Sequence, residues 1–208
     1  MTKRSFALAL CLVLAGCTRD VAGPVPPVAP IGVNQVSDLL SPTVEDGEGN
    51  LFTTVMPEDC NGIAREVDPP FIIDFGPAAT DGGHWDADDG RETSVQELVG
   101  VYHVGFDPKT ALAQARGTIA SCRNLPITVT SASGSSLIFE LLPELISGSP
   151  NIALWSLQSE GRGCDNAFVA AHNAAIEITT CAEVNGYDVL SLAQDALKRI
   201  DALANTTA

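Results

Sequence analysis

The segment that most constrains the fold is CDNAFVAAHNAAIEITTC, residues 164–181. At its centre is His172-Asn173, and Asn and, less often, His tolerate the positive φ angles of a tight turn. Cys164 lies eight residues before this pair and Cys181 eight residues after it, so a two-residue hairpin places the cysteines opposite each other. They then form a non-hydrogen-bonded pair with Cα atoms about 4.5 Å apart, within reach of a disulfide. The segment predicts a disulfide-linked β-hairpin with positive φ at both turn residues, as in type I′; a longer, bulged loop is the alternative.

The N-terminus has the pattern of a secretory signal. Lys3 and Arg4 precede an apolar run over residues 6–16, about half of the roughly 20 residues that a membrane-spanning helix needs. The run ends in LAGC, residues 14–17, which resembles the lipobox of bacterial lipoproteins. In such signals the chain is cut before the cysteine, whose thiol carries a palmitate-type acyl chain. We therefore expect lipidation at Cys17 and an extracytoplasmic location, anchored to the cell membrane; a plain secretory signal is the alternative.

The residues after the signal predict a tether followed by one domain. GPVPPVAP, residues 23–30, has four prolines, which lack an amide donor and favour an extended chain. We expect a signal peptide at 1–16, a lipidated tether at 17–32 and a domain at 33–208, long enough for its own core. Loss of the signal removes two cations and no acids, so the formal net charge changes from −15 to −17. This charge argues against nucleic acid or an anionic lipid surface as a partner.

Four cysteines remain after the signal and its lipid site. An exported chain lies in an oxidising compartment, so Cys60, Cys122, Cys164 and Cys181 are expected to form disulfides. Four cysteines allow three pairings. The hairpin register favours Cys164–Cys181, which leaves Cys60 to pair with Cys122. A metal site is the rival interpretation, but it would need close Cys-x-x-Cys or Cys-x-x-His spacing, which the sequence lacks.

Local patterns predict the remaining elements. Asp107 followed by Pro108 is a helix start, and an apolar stripe continues that helix to Cys122. Residues 72–92 are rich in Gly and Asp and are expected to form a surface loop. The other predicted elements are a short helix at 34–42, strands at 93–106 and 151–160, a hairpin around 131–134 and a helix at 187–203. Together they predict an α+β fold, an antiparallel sheet flanked by two long helices with two disulfides.

The sequence offers little support for catalysis. A Ser/His/Asp triad would need its serine on a strained turn such as Gly-x-Ser-x-Gly, and no such stretch occurs. Residues 86–97, DADDGRETSVQE, partly match a calcium loop, but Arg91 stands where that loop needs its sixth-position glycine. We therefore expect no enzymatic activity, no metal and no cofactor.

Three residues are candidates for ligand binding. Tyr102 and His103 are adjacent in a predicted strand, and Trp155 lies in the next long strand. Aromatic bodies with polar tips suit ligand clefts. The alternative is that Trp155 belongs to the core.

The order of these features resembles the PknH-type extracellular sensor domain, over about residues 33–204. The features that carry the resemblance are the lipobox and proline tether, a helix that leads into a cysteine at TIASC (118–122), meandering strands, a Cys…Asn…Cys hairpin and a final helix. That domain ends some mycobacterial transmembrane Ser/Thr kinases and also occurs as free-standing lipoproteins. The resemblance implies disulfides between the first and second and between the third and fourth cysteines, long helices beside an antiparallel sheet, and a ligand-binding cleft. This chain has no kinase segment, so the expected module cannot signal inward by itself.

These features together predict a membrane-anchored lipoprotein with a sensor-like domain. We expect it to bind a small or cell-envelope ligand in a cleft. Two alternatives stay open at the level of sequence: a cell-wall hydrolase, or a scaffold that docks another membrane protein.

Overall fold

The computed structural model describes residues 31–47, 52–88, 90 and 92–206. The predicted signal peptide, the lipidation at Cys17 and nearly all of the tether lie outside the described residues, so they stay predictions. The chain is already part of the fold at Ile31, whose side chain is buried.

One antiparallel sheet makes up most of the described structure. Its strands in chain order are β1 Glu45–Asp46, β2 Phe52–Met56, β3 Pro77–Ala87, β4 Thr93–Tyr102, β5 Ile127–Ser131, β6 Ser136–Leu141, β7 Ile152–Ser159, β8 Arg162–Ala171 and β9 Ala174–Ala182. Their spatial order is β1-β3-β4-β9-β8-β7-β6-β5-β2, and all eight neighbouring pairs are antiparallel. The sheet curls into a half-barrel, because residues from β2 at one edge and from β4 near the other share one core.

Helices make up a smaller part of the fold than the sequence led us to expect. They are α1 Pro70–Ile73, α2 Pro108–Ser121 and α3 Val189–Thr206, with 3₁₀ helices at Val33–Leu39 and Glu58–Cys60. The predicted α+β fold of an antiparallel sheet flanked by two long helices is therefore wrong in its proportions. Eight strands of five residues or more dominate, and helices of 4, 14 and 18 residues cover only parts of the two faces.

The main reason for this error is strand β3, which lies inside the predicted surface loop 72–92. Its glycines are required by close packing. A Cβ atom at Gly82 would lie 2.9 Å from Leu98 Cδ1, and one at Gly83 would lie 2.5 Å from the Glu45 carbonyl oxygen. A composition that is typical of loops here allows β1 and β4 to approach β3 closely.

The sheet separates two cores. Side chains alternate along a strand, so on β8 Phe168 belongs to one core and Val169 to the other. We call the side covered by α2 the α2 face and the side covered by α3 the α3 face. Helix α2 buries Leu112 and Ile119 against the first core, and α3 buries residues such as Ile200 against the second.

The predicted hairpin is confirmed in register and corrected in its turn. Ala171 pairs with Ala174 and Cys164 with Cys181, whose Cα atoms are 4.2 Å apart in a disulfide. His172 has a φ of 52°, but Asn173 is not in the left-handed region, so the predicted type I′ turn is wrong. The Asn173 side chain is fixed by tertiary hydrogen bonds that no local pattern reveals: Oδ1 accepts from Ile31 N–H, and Nδ2 donates to the carbonyl oxygens of residues 31 and 102.

The second disulfide joins Cys60 to Cys122, with Cα atoms 5.7 Å apart. Both pairings that the sequence favoured are therefore present. This bridge ties the segment after β2 to the end of α2. At the other end of α2, the Asp107 carboxylate accepts a hydrogen bond from Lys109 N–H at 3.0 Å, as expected for the helix cap.

Candidate functional site

Trp155, one of the three predicted ligand-binding residues, is part of the core. Its side chain is only 2 % exposed, and its ring contacts Phe71 edge-on at a centroid distance of 5.8 Å. The indole Nε1–H donates to the Ile63 carbonyl oxygen at 2.7 Å. The core alternative considered for Trp155 is therefore the one that the structure adopts.

Tyr102 and His103 do lie together, at the end of β4. They line a hollow of about 410 Å³ with Phe75 and Phe106 among its walls. Tyr102 is buried, stacks on Phe106 at 3.9 Å and donates its hydroxyl proton to the Ile72 carbonyl oxygen. Burial raises the pKa of Tyr102. Because Asp107 is engaged by the helix cap, this hollow offers an aromatic surface with few polar groups.

A more polar site lies on the α2 face of β3 and β4, beside the Cys164–Cys181 bridge. Its cavity has a volume of about 570 Å³ and is lined by His84, Asp86, Glu92, Ser94, Gln96, Arg162 and Cys181. The strand register sets His84 beside Gln96 and Asp86 beside Ser94. We call this cavity the polar groove. It brings imidazole, carboxylate, hydroxyl, amide and guanidinium groups to one surface, which suits a ligand rich in hydrogen-bonding groups.

A row of polar side chains continues from the groove into the sheet. Gln96 pairs with Thr179, and Thr179 with Asn166, so the three lie side by side across three strands on the α2 face. Thr179 Oγ1–H donates to Asn166 Oδ1 at 2.8 Å, and Asn166 Nδ2 donates to the Cys164 carbonyl oxygen at 3.3 Å. All three side chains are buried. The row therefore extends the polar character of the groove beneath the surface.

Glu177 lies next along β9 on the same face, in register with Leu98 and Phe168. Its side chain is completely buried, and neither carboxylate oxygen has a hydrogen-bond partner among the described residues. Burial raises the pKa of Glu177 to about 8, while the nearby Arg65 guanidinium acts in the opposite direction. An unsatisfied buried polar group costs about 1–3 kcal/mol of stability, or more when it is charged. The buried carboxyl group of Glu177 therefore lowers the stability of the fold.

The segment that follows β2 brings Arg65 and Glu66 to this region. Burial raises the pKa of Glu66, and its Oε2 accepts a hydrogen bond from Gly62 N–H at 2.7 Å. The Arg65 guanidinium donates to the Glu66 carbonyl oxygen. Arg65 also lines a hollow of about 280 Å³ that includes Leu98, the strand neighbour of Glu177. The Cys60–Cys122 bridge holds the start of this segment against α2.

Sequence reasoning missed Glu177. The signal was present, since the carboxylate stands between two isoleucines in the AAIEI stretch of a predicted strand. Alternation places Glu177 on the same side as Ala175 and Thr179. Its lack of a partner could not be predicted, because that depends on how residues 57–68 pack against the sheet.

A second buried glutamate, Glu97 on β4, faces the opposite side. Its Oε2 accepts a hydrogen bond from Ser41 N–H at 2.6 Å, and its Oε1 forms an ion pair with Arg199 of α3. Burial raises the pKa of Glu97, and Arg199 opposes that shift. Arg199 Nε–H also donates to the Leu39 carbonyl oxygen at 2.7 Å. These contacts of Glu97 and Arg199 join the first 3₁₀ helix, β4 and α3.

Two further observations concern only the described part of the chain. Within it, no three His, Cys, Asp or Glu side chains come together in a group that could hold a metal ion. None of its helices combines the length and apolarity that crossing a membrane requires.

The fold is similar to a solved structure, the crystal structure of the extracellular domain of PknH from Mycobacterium tuberculosis. The TM-score is 0.65 at 18 % sequence identity, and the match covers 86 % of this chain and 99 % of that domain. No protein-family model and no curated protein sequence matches the chain. At this identity the similarity establishes the fold alone: the chain has the fold of the PknH extracellular domain.

Proposed function

We propose that this chain is a lipid-anchored, extracytoplasmic binding module whose polar groove holds a hydroxyl-rich ligand of the cell envelope. Its fold, similar to that of an extracellular kinase domain, and its lipobox-like N-terminus support the location. The observation that carries the proposal is Glu177, a buried carboxyl group without a hydrogen-bond partner beside the groove. Buried groups of this kind with a perturbed pKa cluster at functional sites.

The chemistry of Glu177 indicates the class of ligand. With a pKa of about 8, the carboxyl group is mostly protonated near pH 7, and a neutral carboxyl group both donates and accepts hydrogen bonds. Sugar hydroxyls do the same. His84, Gln96 and Arg162 add donors and acceptors along the groove. Glu177 is completely buried, so a ligand reaches it only when the side chains that cover it shift.

The test compares Glu177→Met with Glu183→Met, since Glu183 is exposed on the chain after β9. The purified domain is titrated by calorimetry with soluble muropeptides and cell-wall oligosaccharides, and native mass spectrometry checks for a co-purified molecule. We expect the parent and Glu183→Met to bind one of these probes and Glu177→Met to bind at least tenfold more weakly. Equal binding by both variants, or no binding of any probe by the parent, would contradict the proposal. Cleavage of a probe would identify a hydrolase instead.

The anchor is tested separately. Cys17→Ala removes the acyl acceptor, so the protein should leave the detergent phase when labelled cells are partitioned. Retention of the variant in the detergent phase to the same extent as the parent would show that Cys17 is not the lipid site.

A further inference from the structure

The connection between β6 and β7 runs beside β7, where Leu145 forms an isolated β-bridge with Leu154, and a further cavity lies next to it. Residues 144–150 and helix α2 enclose a cleft of about 330 Å³, floored by the first residues of β7. Two arginines line it: Arg116 of α2, and Arg123, two residues past the last residue of that helix.

Both arginines are held in place by backbone carbonyls. Arg116 Nη2 donates to the Pro150 and Ile152 oxygens at 2.9 and 3.1 Å, and Arg123 Nη1 donates to the Leu142 oxygen at 3.1 Å. These bonds use one nitrogen of each guanidinium group, so further N–H donors are available to a ligand. The acid that lines the cleft is Glu144, which is exposed. The cleft is thus cationic in a chain whose net charge is −15.

Apolar side chains form part of the remaining wall of the cleft, and they continue around the connection. Leu145, Ile146 and Leu154 line both this cleft and a hollow of about 440 Å³ on the other side of the same residues. Val189 and Leu190, at the start of α3, extend that hollow. Ile146 is 88 % exposed. Exposed apolar surface of this kind, beside a few fixed charges, is typical of binding sites for molecules with one polar and one apolar end.

We propose that this cleft binds a single-chain anionic amphiphile. The anionic head, a carboxylate or a phosphate, accepts hydrogen bonds from Arg116 and Arg123, whose planar groups suit either oxyanion. The alkyl chain lies against Ile146 and Leu154 and extends toward Leu190. This site is separate from the polar groove, which lies at the other end of β7 and β8 near Cys164.

The experiment uses three probes of equal chain length, all below their micellar concentrations: dodecanoate, dodecyl phosphate and dodecyltrimethylammonium. Calorimetric titration of the whole domain should give saturable binding of at least one anion and none of the cation. Preference for dodecanoate indicates a fatty acid as the source of the ligand, and preference for dodecyl phosphate indicates a lipid phosphate. Failure of both anions to bind, or equal binding of the cation, would overturn the proposal.

Variants then locate the site. Ile146→Asp places a negative charge at an exposed position of the cleft, so it should fold normally and weaken binding of the anion at least tenfold. Arg123→Gln should weaken binding in the same direction, whereas Lys198→Gln, an exposed cation on α3, should not. Glu177→Met should also bind the amphiphile with unchanged affinity, which separates this proposal from the one about the groove. Unchanged affinity in Ile146→Asp, with its fold verified by circular dichroism, would refute the assignment.

Discussion

Glu97 and Glu177 lie on adjacent strands in the centre of the sheet, one position apart in register, and both are buried. Their surroundings differ completely. On the α3 face, Glu97 accepts a backbone hydrogen bond from Ser41 and pairs with Arg199. On the α2 face, Glu177 has no hydrogen-bond partner among the described residues. Glu97 therefore stabilises the packing of α3. Glu177 lowers the stability of the fold, and its carboxyl group has hydrogen-bonding capacity that no described residue uses.

The largest expected effect comes from removing the partner of Glu97. Arg199→Met leaves that carboxylate buried without its charge partner, and breaking a buried pair in this way costs about 3–5 kcal/mol. Urea unfolding measures the loss. Lys198→Met is the matched control, because Lys198 is 76 % exposed and its pair with Asp195 lies on the surface, where such pairs contribute about 0–1 kcal/mol. Similar small losses in both variants would remove the distinction between the two glutamates.

The second prediction has the opposite sign. Glu177→Met replaces an unpartnered buried carboxyl group with an apolar side chain of similar length, so it should stabilise the domain by about 1–3 kcal/mol. Glu97→Met should destabilise it, because Ser41 N–H and Arg199 then lose their acceptor. Both are measured in the same unfolding experiment. If both substitutions change the free energy of unfolding in the same direction, the comparison fails.

The third prediction is a pH dependence. The folded pKa of Glu177 is raised to about 8, above the value of about 4.3 in an unfolded chain. Its contribution to stability is therefore complete below pH 4 and falls as the pH rises through 8. Between pH 7 and pH 9 the parent should lose about 1.4 kcal/mol relative to Glu177→Met. The difference between the two proteins is the quantity to follow, because Glu66 and Glu97 also have raised pKa values. A difference that stays constant over this range would show that Glu177 does not titrate there.

The smallest effect tests whether a polar group on the α2 face is unfavourable merely because of its position. Thr179 is partnered, since its hydroxyl donates to Asn166 Oδ1. Thr179→Val should therefore destabilise the domain by about 1 kcal/mol. The comparison on the opposite face is Thr180→Val, which loses a hydrogen bond to the Asp165 carbonyl oxygen. Stabilisation by Thr179→Val would mean that the whole polar row, and not Glu177 alone, is unfavourable for folding.

The sequence predicted the parts of this fold that depend on spacing. Counting outward from His172-Asn173 gave the Cys164–Cys181 pair, and Asp107 located the start of α2. It failed where distant chain segments decide the outcome. The glycines of β3 were interpreted as a loop because their packing against β1 and β4 is not local.

The same limit applies to the site. Tyr102, His103 and Trp155 were predicted to bind a ligand because they are aromatic with polar tips. Tyr102 and Trp155 are instead buried in the core, where their polar atoms donate to backbone carbonyl oxygens. The residues that line the groove and surround Glu177 come together through the pairing of β3, β4 and β9 and the packing of the segment after β2. A charged residue within an apolar strand was the one local sign of the site.

The hydrogen bonds between Ile31 and Asn173 place the start of the described chain at the tip of the β8–β9 hairpin. With the proposed lipid on Cys17, the tether would join the domain at this tip. Residues 17–30 can span at most about 50 Å. The polar groove adjoins Cys181, eight residues along β9 from the turn, and therefore about 25 Å farther out. The arginine cleft adjoins Ile152, which pairs with Val169 only three residues before His172. The arginine cleft therefore lies near the point where the proposed tether joins the domain, and the polar groove lies toward the far end of the hairpin.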